Sequence, residues 1–166
     1  MKIYNGTGDL GETSNLSGQK ISKNDISIHF IGEADELNSH LGLVKALLSD
    51  GQARQFIEEI QKKIMKLMSH TCDPADSRYF FCDDEVKVLE TEIDKLTRDI
   101  QENSQFVLPG KNVTEAQIHI ARAVARRTER LFFAVSERLP LCQEAGAYLN
   151  RLSDYLFALA RWYRTP

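Results

Sequence analysis

The sequence predicts an all-α protein: a five-helix up-and-down bundle preceded by an ordered N-terminal loop. Three observations carry this. From residue 26 onward, apolar residues recur at three- and four-residue spacing, the period of a half-buried helix. The breaks between periodic stretches are short, so consecutive helices must pack antiparallel. Residues 1–25 alone lack the period and carry Gly6, Gly8, Gly11 and Gly18 among Ser, Thr and Asn.

The 166 residues suit one domain, 1–166, with a sizeable core. A net charge of −3 supplies no overall basic field, so neither nucleic acid nor an anionic membrane is an expected partner. No apolar run approaches the length of a membrane span. The three cysteines, Cys72, Cys82 and Cys142, are odd in number and include no Cys-x-x-Cys pair. They indicate neither a disulfide framework nor a thiolate zinc site, and the expected compartment is a reducing cytoplasm.

A short extended piece is expected at residues 2–4. The first helix is predicted over 26–48, with Ile28, Ile31, Leu37, Leu41, Val44 and Leu48 inward. The second follows Asp50 and carries Phe56, Ile57, Ile60, Ile64, Leu67 and Met68. The third opens near Asp83, with Val86, Leu89, Ile93, Leu96 and Ile100 in register. Residues 105–110 break the pattern and read as a loop. Asn112-x-x-Glu115 resembles a capping box that starts the fourth helix, which carries Ile120, Val124, Leu131 and Val135 and ends before Pro140. The fifth is predicted over 143–163.

The fourth helix holds the most informative chemistry. Arg122, Arg126 and Arg130 are four residues apart and share one face. Aligned guanidinium groups repel one another unless an anion lies across them, and arginine holds phosphate oxygens two at a time. Arg126 and Arg130 are the phosphate candidates, and Glu129 is placed to pair with Arg126. On the fifth helix Asn150 and Asp154 stand one turn apart; Asn150 can read a nucleotide or sugar edge or can be a plain surface residue. On the first helix Asp35 falls between Ile31 and Asn38 and reads as partly buried, needing a cation from the fourth helix. Glu33 and Glu36 read as an exposed acidic face.

In the N-terminal segment, Gly6-x-Gly8-x-x-Gly11 matches a dinucleotide fingerprint in letters only. That fold needs a strand before the glycines and a helix directly after them, and the rest of this chain is helical. Backbone N–H groups of a glycine-rich turn can still cradle phosphate, and Thr7, Thr13 and Ser14 add hydroxyl donors. Lys23 is either a point charge for such a phosphate or a solvated loop lysine. A di-iron bundle is excluded because no glutamate has a histidine three residues later; Glu36/His40 and Glu115/His119 are four apart. No Walker loop is present.

These blocks together resemble the PduO-type ATP:cob(I)alamin adenosyltransferases, also called cob(I)yrinic acid a,c-diamide adenosyltransferases. The resemblance runs through Thr7-Gly8-Asp9-x-Gly11, Ser22-Lys23-Asn24-Asp25 and Gly32-Glu33-Ala34-Asp35-Glu36-Leu37-Asn38-Ser39. It continues through Phe106-Val107-Leu108-Pro109-Gly110, His119-x-Ala121-Arg122, Arg126-Arg127-Thr128-Glu129-Arg130, and Leu149-Asn150-Arg151-Leu152-Ser153-Asp154. It implies a homotrimer with ATP bound between subunits. It implies ATP contacts from Asn5, Gly6, Thr7, Gly8, Thr13, Ser14 and Lys23 in an N-terminal ATP-binding segment, 1–25, completed by Arg126, Arg127, Glu129, Arg130 and Asn150. Asp35 would pair with Arg122 of a neighbouring subunit, and Phe106 would lie at the lower face of the cobalt.

The implied reaction transfers the 5′-deoxyadenosyl group of ATP to cob(I)alamin and releases triphosphate. Phe106 and Arg126 are the expected catalytic residues. Mg2+ would be held through the ATP phosphates, with no metal ligand from the protein, and a flavin-type reductase would supply cob(I)alamin from cob(II)alamin. The alternatives are a non-catalytic trimeric relative that binds ATP or corrinoid for delivery or regulation, and a plain interaction bundle. The chain departs from the usual pattern at Asn5-Gly6, where the family has Thr-Lys, and at Lys111, where it has Gly.

Overall fold

Four of the five long helices begin where a side chain satisfies amide groups at the first turn. Asp25 Oδ1 accepts from the Ser27 amide at 2.8 Å and starts α1, Ile26–Leu47. Asp50 does the same for the Gln52 amide at 2.8 Å and starts α2, Gly51–Cys72. A short 3-10 turn, Ser77–Tyr79, leads to α3, Asp83–Thr97, whose Glu85 carboxylate reaches back to the Cys82 amide. Asn112 caps α4, Val113–Ser136, and α5 spans Gln143–Arg164. The structure, a computed structural model, describes residues 6–15, 18–98 and 107–164. Asn5, Phe106, Ile100 and the extended piece expected at residues 2–4 lie outside them.

Within the N-terminal segment, where the composition predicts a loop, the chain forms an antiparallel hairpin. Strand β1, Glu12–Ser14, pairs with β2, Lys20–Ser22, with Thr13 opposite Ile21. Three-residue strands are too short for alternation to stand out in a sequence.

α4 lies between α1 and α5, α2 covers the other flank of α1, and α3 lies on α5. Paired residues give the directions. Gln117 meets His40 and Thr128 meets Glu33, so α1 and α4 are antiparallel. Asn150 meets Glu129, with Phe157 against His119, so α4 and α5 are antiparallel as well. Both α1 and α5 therefore run against α4, as the predicted five-helix up-and-down order requires.

The shared interior takes Phe30, Leu37 and Leu41 from α1, Ile57, Ile60 and Ile64 from α2, and Leu149 and Leu156 from α5, all at most 1% exposed. Each such side chain contributes about 1.5–3 kcal/mol by leaving water. Ile120 departs from expectation: it is 47% exposed, because Ile118 and Ala121 take the inward direction on α4. Ile28 and Ile31 are only partly buried. Among the described residues no helix is long and apolar enough to cross a membrane.

Two packing details generate predictions. A Cβ on Gly146 would stand 3.0 Å from Phe132 Cε1 and 3.1 Å from Phe133 Cζ, so glycine sets the approach of α5 to α4. Gly146→Val should cost about 1–3 kcal/mol by overpacking. Gly146→Ala should cost less, because alanine regains about 1 kcal/mol of helix propensity. Denaturant midpoints of the two variants check this order.

His70 is fully buried, and its Nε2 accepts from the Cys142 amide at 3.0 Å. The ring is therefore neutral, with its proton assigned to Nδ1. Burial, aided by the nearby Lys66 charge, holds its pKa below the ordinary 6.5. The unfolded chain takes up a proton as pH falls through about 6.5, before the folded chain does, so stability is lost as pH falls through that value. Thermal unfolding followed from pH 7.5 to 5.5 should show falling stability, with a shallower slope in His70→Gln.

Candidate functional site

The N-terminal segment folds on itself. Gly6 and Gly11 adopt φ of +72° and +83°, a region that favours glycine. The Asp9 amide donates to Gly6 O at 3.3 Å, the Gly11 amide to Gly8 O at 3.3 Å, and the Lys23 amide to Gly11 O at 2.8 Å. A Cβ on Gly8 would lie 2.9 Å from Lys23 Nζ, so the glycine makes room for the ammonium. Gly6, Gly8 and Lys23 are thus brought together. Thr7 and Ser14 are exposed and Thr13 is half-buried on the hairpin. The root of the segment sits at the C-terminal end of α4: Leu139 lines the same cleft as Ile21 and Asp25, and the Arg138 charge acts on Asp25.

On α4, Arg126 and Arg130 are exposed, and Arg130 Nη1 donates to Arg126 O at 3.0 Å. Neither forms an ion pair among the described residues. Arg127 does: its Nε and Nη2 reach Glu33 and Glu36 of α1. Those two carboxylates, read as a solvated acidic face, instead clamp α1 to α4. Glu129, expected to pair with Arg126, accepts from Asn150 Nδ2 at 2.8 Å. The antiparallel fit of α5 brings the Asn150 amide to Glu129, whereas Arg126 points away from it into solvent. Asp154 is held by Arg151 Nη1 at 2.7 Å, while Arg151 Nε reaches Glu90 of α3 at 3.0 Å.

Asp35 is exposed rather than partly buried, because Ala34 and Leu37 take the inward positions beside it. Arg122 stacks its guanidinium 5.9 Å from the centre of the Phe157 ring, and its buried Nε has no acceptor among the described residues. Asp35 and Arg122 do not meet within one chain.

The sequence reading missed the role of Glu115. Its amide donates to Asn112 Oδ1 at 2.8 Å, as a cap requires, but its side chain does not return to the Asn112 amide. The fully buried carboxylate instead accepts from the Gly110 and Lys111 amides at 2.7 and 3.1 Å and from Arg164 Nη1 at 2.9 Å. Burial pushes its pKa up, but the Gly110 amide, Arg164 and the Lys111 amide together hold it below the ordinary value. The Asn112-x-x-Glu115 spacing marked the residue but not its partners, since Arg164 is 49 positions away. His119, one turn on, is 6% exposed and stands 3.4 Å from Glu115 Oε1. Among the described residues no cluster of three or more His, Cys, Asp or Glu could hold a metal ion.

Arg126 lies ten residues before Ser136, the last residue of α4, about 15 Å along its axis. In a single chain the glycine segment and the arginine face therefore occupy separate regions. The molecule is a helical bundle with an exposed cationic face on α4 and a glycine-rich turn at one end.

Residues 3–163 match the cobalamin adenosyltransferase family. The corrinoid adenosyltransferase of Citrobacter freundii is 36% identical over 164 residues, which cover 96% of this chain and 93% of that protein. Corrinoid adenosyltransferase PduO of Salmonella typhimurium is 34% identical over 165 residues; the match covers 97% of this chain but 49% of that longer relative. Among solved structures, a variant PduO-type ATP:corrinoid adenosyltransferase from Lactobacillus reuteri complexed with cobalamin and ATP aligns with a TM-score of 0.90 at 32% identity. That alignment covers 98% of this chain and 93% of the other. The chain belongs to the cobalamin adenosyltransferase family.

The Arg127 clamp is partly exposed, so its contribution is modest. A double-mutant cycle of Arg127→Met with Glu33→Gln should give a coupling of about 0.2–1 kcal/mol in unfolding free energy.

Proposed function

We propose that the protein transfers the 5′-deoxyadenosyl group of ATP to the cobalt of cob(I)alamin and releases triphosphate. The observation that carries this reading is the end-to-end likeness to an enzyme complexed with cobalamin and ATP, at a TM-score of 0.90. In the reaction the electron pair on cobalt(I) forms a bond to the ribose C5′. The C5′–O bond breaks, and its electrons leave with triphosphate. The substrate is itself the nucleophile, so the protein's tasks are orientation and charge management.

The charges left open within one chain support the site assignment. Arg126 and Arg130 are exposed cations with no carboxylate partner among the described residues, suited to the oxygens of a departing triphosphate. Lys23 beside Gly8 adds a third cation, with Gly6, Thr7, Thr13 and Ser14 on the same segment. Glu129 orients Asn150 toward the nucleotide. Asn5 and Phe106, outside the described residues, keep their proposed places at ATP and at the lower face of the corrinoid. Arg127, already clamped by Glu33 and Glu36, acts by holding α1 and α4 in register. Mg2+, bound through the phosphates, would neutralise charge on the leaving triphosphate.

The homotrimer is proposed from two unmet needs. Among the described residues, Asp35 is an exposed carboxylate without a cation and Arg122 has a buried Nε without an acceptor. Pairing them across subunits satisfies both, and would bring the glycine segment of one copy to the arginine face of another. Residues 1–166 act as one unit, with 1–25 as its nucleotide segment. We place the protein in the cytoplasm, where the thiols of Cys72, Cys82 and Cys142 stay reduced and a flavin-type reductase can supply cob(I)alamin.

Absorbance at the adenosylcobalamin bands, with reduced cobalamin and ATP supplied, tests the activity. Formation of adenosylcobalamin supports it; retained ATP binding without turnover would favour a non-catalytic carrier. Arg126→Ala should raise the KM for ATP by about ten- to a hundredfold, the loss of one charge-assisted contact of about 1.5–3 kcal/mol. Phe106→Ala should slow adenosylation while leaving calorimetric ATP affinity unchanged.

A further inference from the structure

The loop 107–112 follows Phe106 directly, yet it has little apolar anchoring of its own: Leu108 is 81% exposed, and Pro109, Gly110 and Lys111 are exposed too. Polar contacts converge on it instead. Glu115 Oε2 takes the consecutive Gly110 and Lys111 amides, and Gly110, at φ +110°, turns the backbone so that both can point at one oxygen. Arg164 Nη1 bridges Glu115 Oε1 at 2.9 Å and Leu108 O at 2.8 Å. Asn112 Nδ2 ties the end of the loop to Tyr163 O at 2.8 Å. The last turn of α5 and the first turn of α4 therefore hold one short stretch of backbone between them.

Burying a carboxylate for an ion pair with the half-buried Arg164 is a poor way to gain stability, since apolar residues of like volume often serve as well. What a buried carboxylate does uniquely is fix hydrogen-bond donors in one arrangement, and here two of those donors are loop amides.

We propose that Glu115 and Arg164 are positioning residues that set where the backbone enters the loop from Phe106, and so govern productive binding of the corrinoid rather than of ATP. The proposal rests on the adenosyltransferase reading above. Neither residue touches substrate; both act through the backbone they hold.

The test uses the full chain with Glu115→Gln, Arg164→Met and the conservative Arg164→Lys. Two readouts are taken: hydrogen exchange at the Gly110 and Lys111 amides, and separate KM values for cob(I)alamin and ATP. In Glu115→Gln and Arg164→Met those two amides should exchange about tenfold faster or more, with the α4 and α5 core amides unchanged. The KM for cob(I)alamin should rise by about five- to tenfold and that for ATP by less than about twofold, with Arg164→Lys recovering part of the loss. Unchanged exchange at both amides, or equal shifts in the two KM values, overturns the proposal while the wild type still turns over. A wild type that forms no adenosylcobalamin overturns the parent reading, and the corrinoid role falls with it. A Glu115→Gln chain that does not fold leaves Arg164→Met to decide by the same criteria.

Discussion

The burial of α4 between α1 and α5 is the constraint on which the remaining geometry depends. Ile118, Ala121, Ala125 and Phe132 are at most 1% exposed along it, and Phe132 meets Phe30 of α1 edge-on at 5.9 Å. With that stripe fixed, every charged position on α4 has its direction decided. Arg127 is turned to α1, Glu129 to α5, Arg122 to the Phe157 ring, and Arg126 and Arg130 to solvent. A rotation of the helix by one residue, about 100°, would redirect all of them at once. The close packing at Gly146 opposes such a slip, because α5 can approach Phe132 and Phe133 only without a side chain there.

Much of this was legible in the sequence because helical period and capping chemistry are local. The starts of α1, α2 and α4 follow from Asp25, Asp50 and Asn112, and the short connections fix the alternation of direction. What escaped was either too short or too distant. The strands Glu12–Ser14 and Lys20–Ser22 give no period to read. Ile120 fits the inward pattern by its letter, yet only the packed neighbours decide which edge of a stripe is covered. Partner choice is a tertiary matter: Glu129 had Arg126 in reach along its own helix and took Asn150 from another. Glu115 shows the same limit, since spacing predicted a cap and a residue 49 positions away gave it a different use.

The charged residues separate into two groups. Arg127, Arg151, Lys63 and Lys66 have their carboxylates within the chain, and they tie α1 to α4, α3 to α5, and α2 to α3. Arg122, Arg126, Arg130, Lys23 and Asp35 form no ion pair among the described residues. Exposed ion pairs contribute little to stability one at a time, so the first group matters mainly through the registers it fixes. The second group matters because of what it lacks. Cations set one helical turn apart raise one another's energy, and an anion of several charges relieves that for all of them together.

This division suits a chemistry that calls for no acid–base pair. A reaction whose nucleophile is a reduced metal centre and whose leaving group is triphosphate needs no proton moved at the carbon that changes bonds. Selection on such a site falls on placement and on electrostatics. A helical bundle supplies the first through stiff, mutually packed elements, and the second through the faces those elements leave uncovered. Charges held in place before a substrate arrives need little reorganisation as negative charge builds on leaving oxygens, which is where the α4 face would act in the proposed reaction. The burial that orients Arg126 and the burial that holds the core are thus one event: the same packed stripe that stabilises α4 fixes the direction of the cations on its far side.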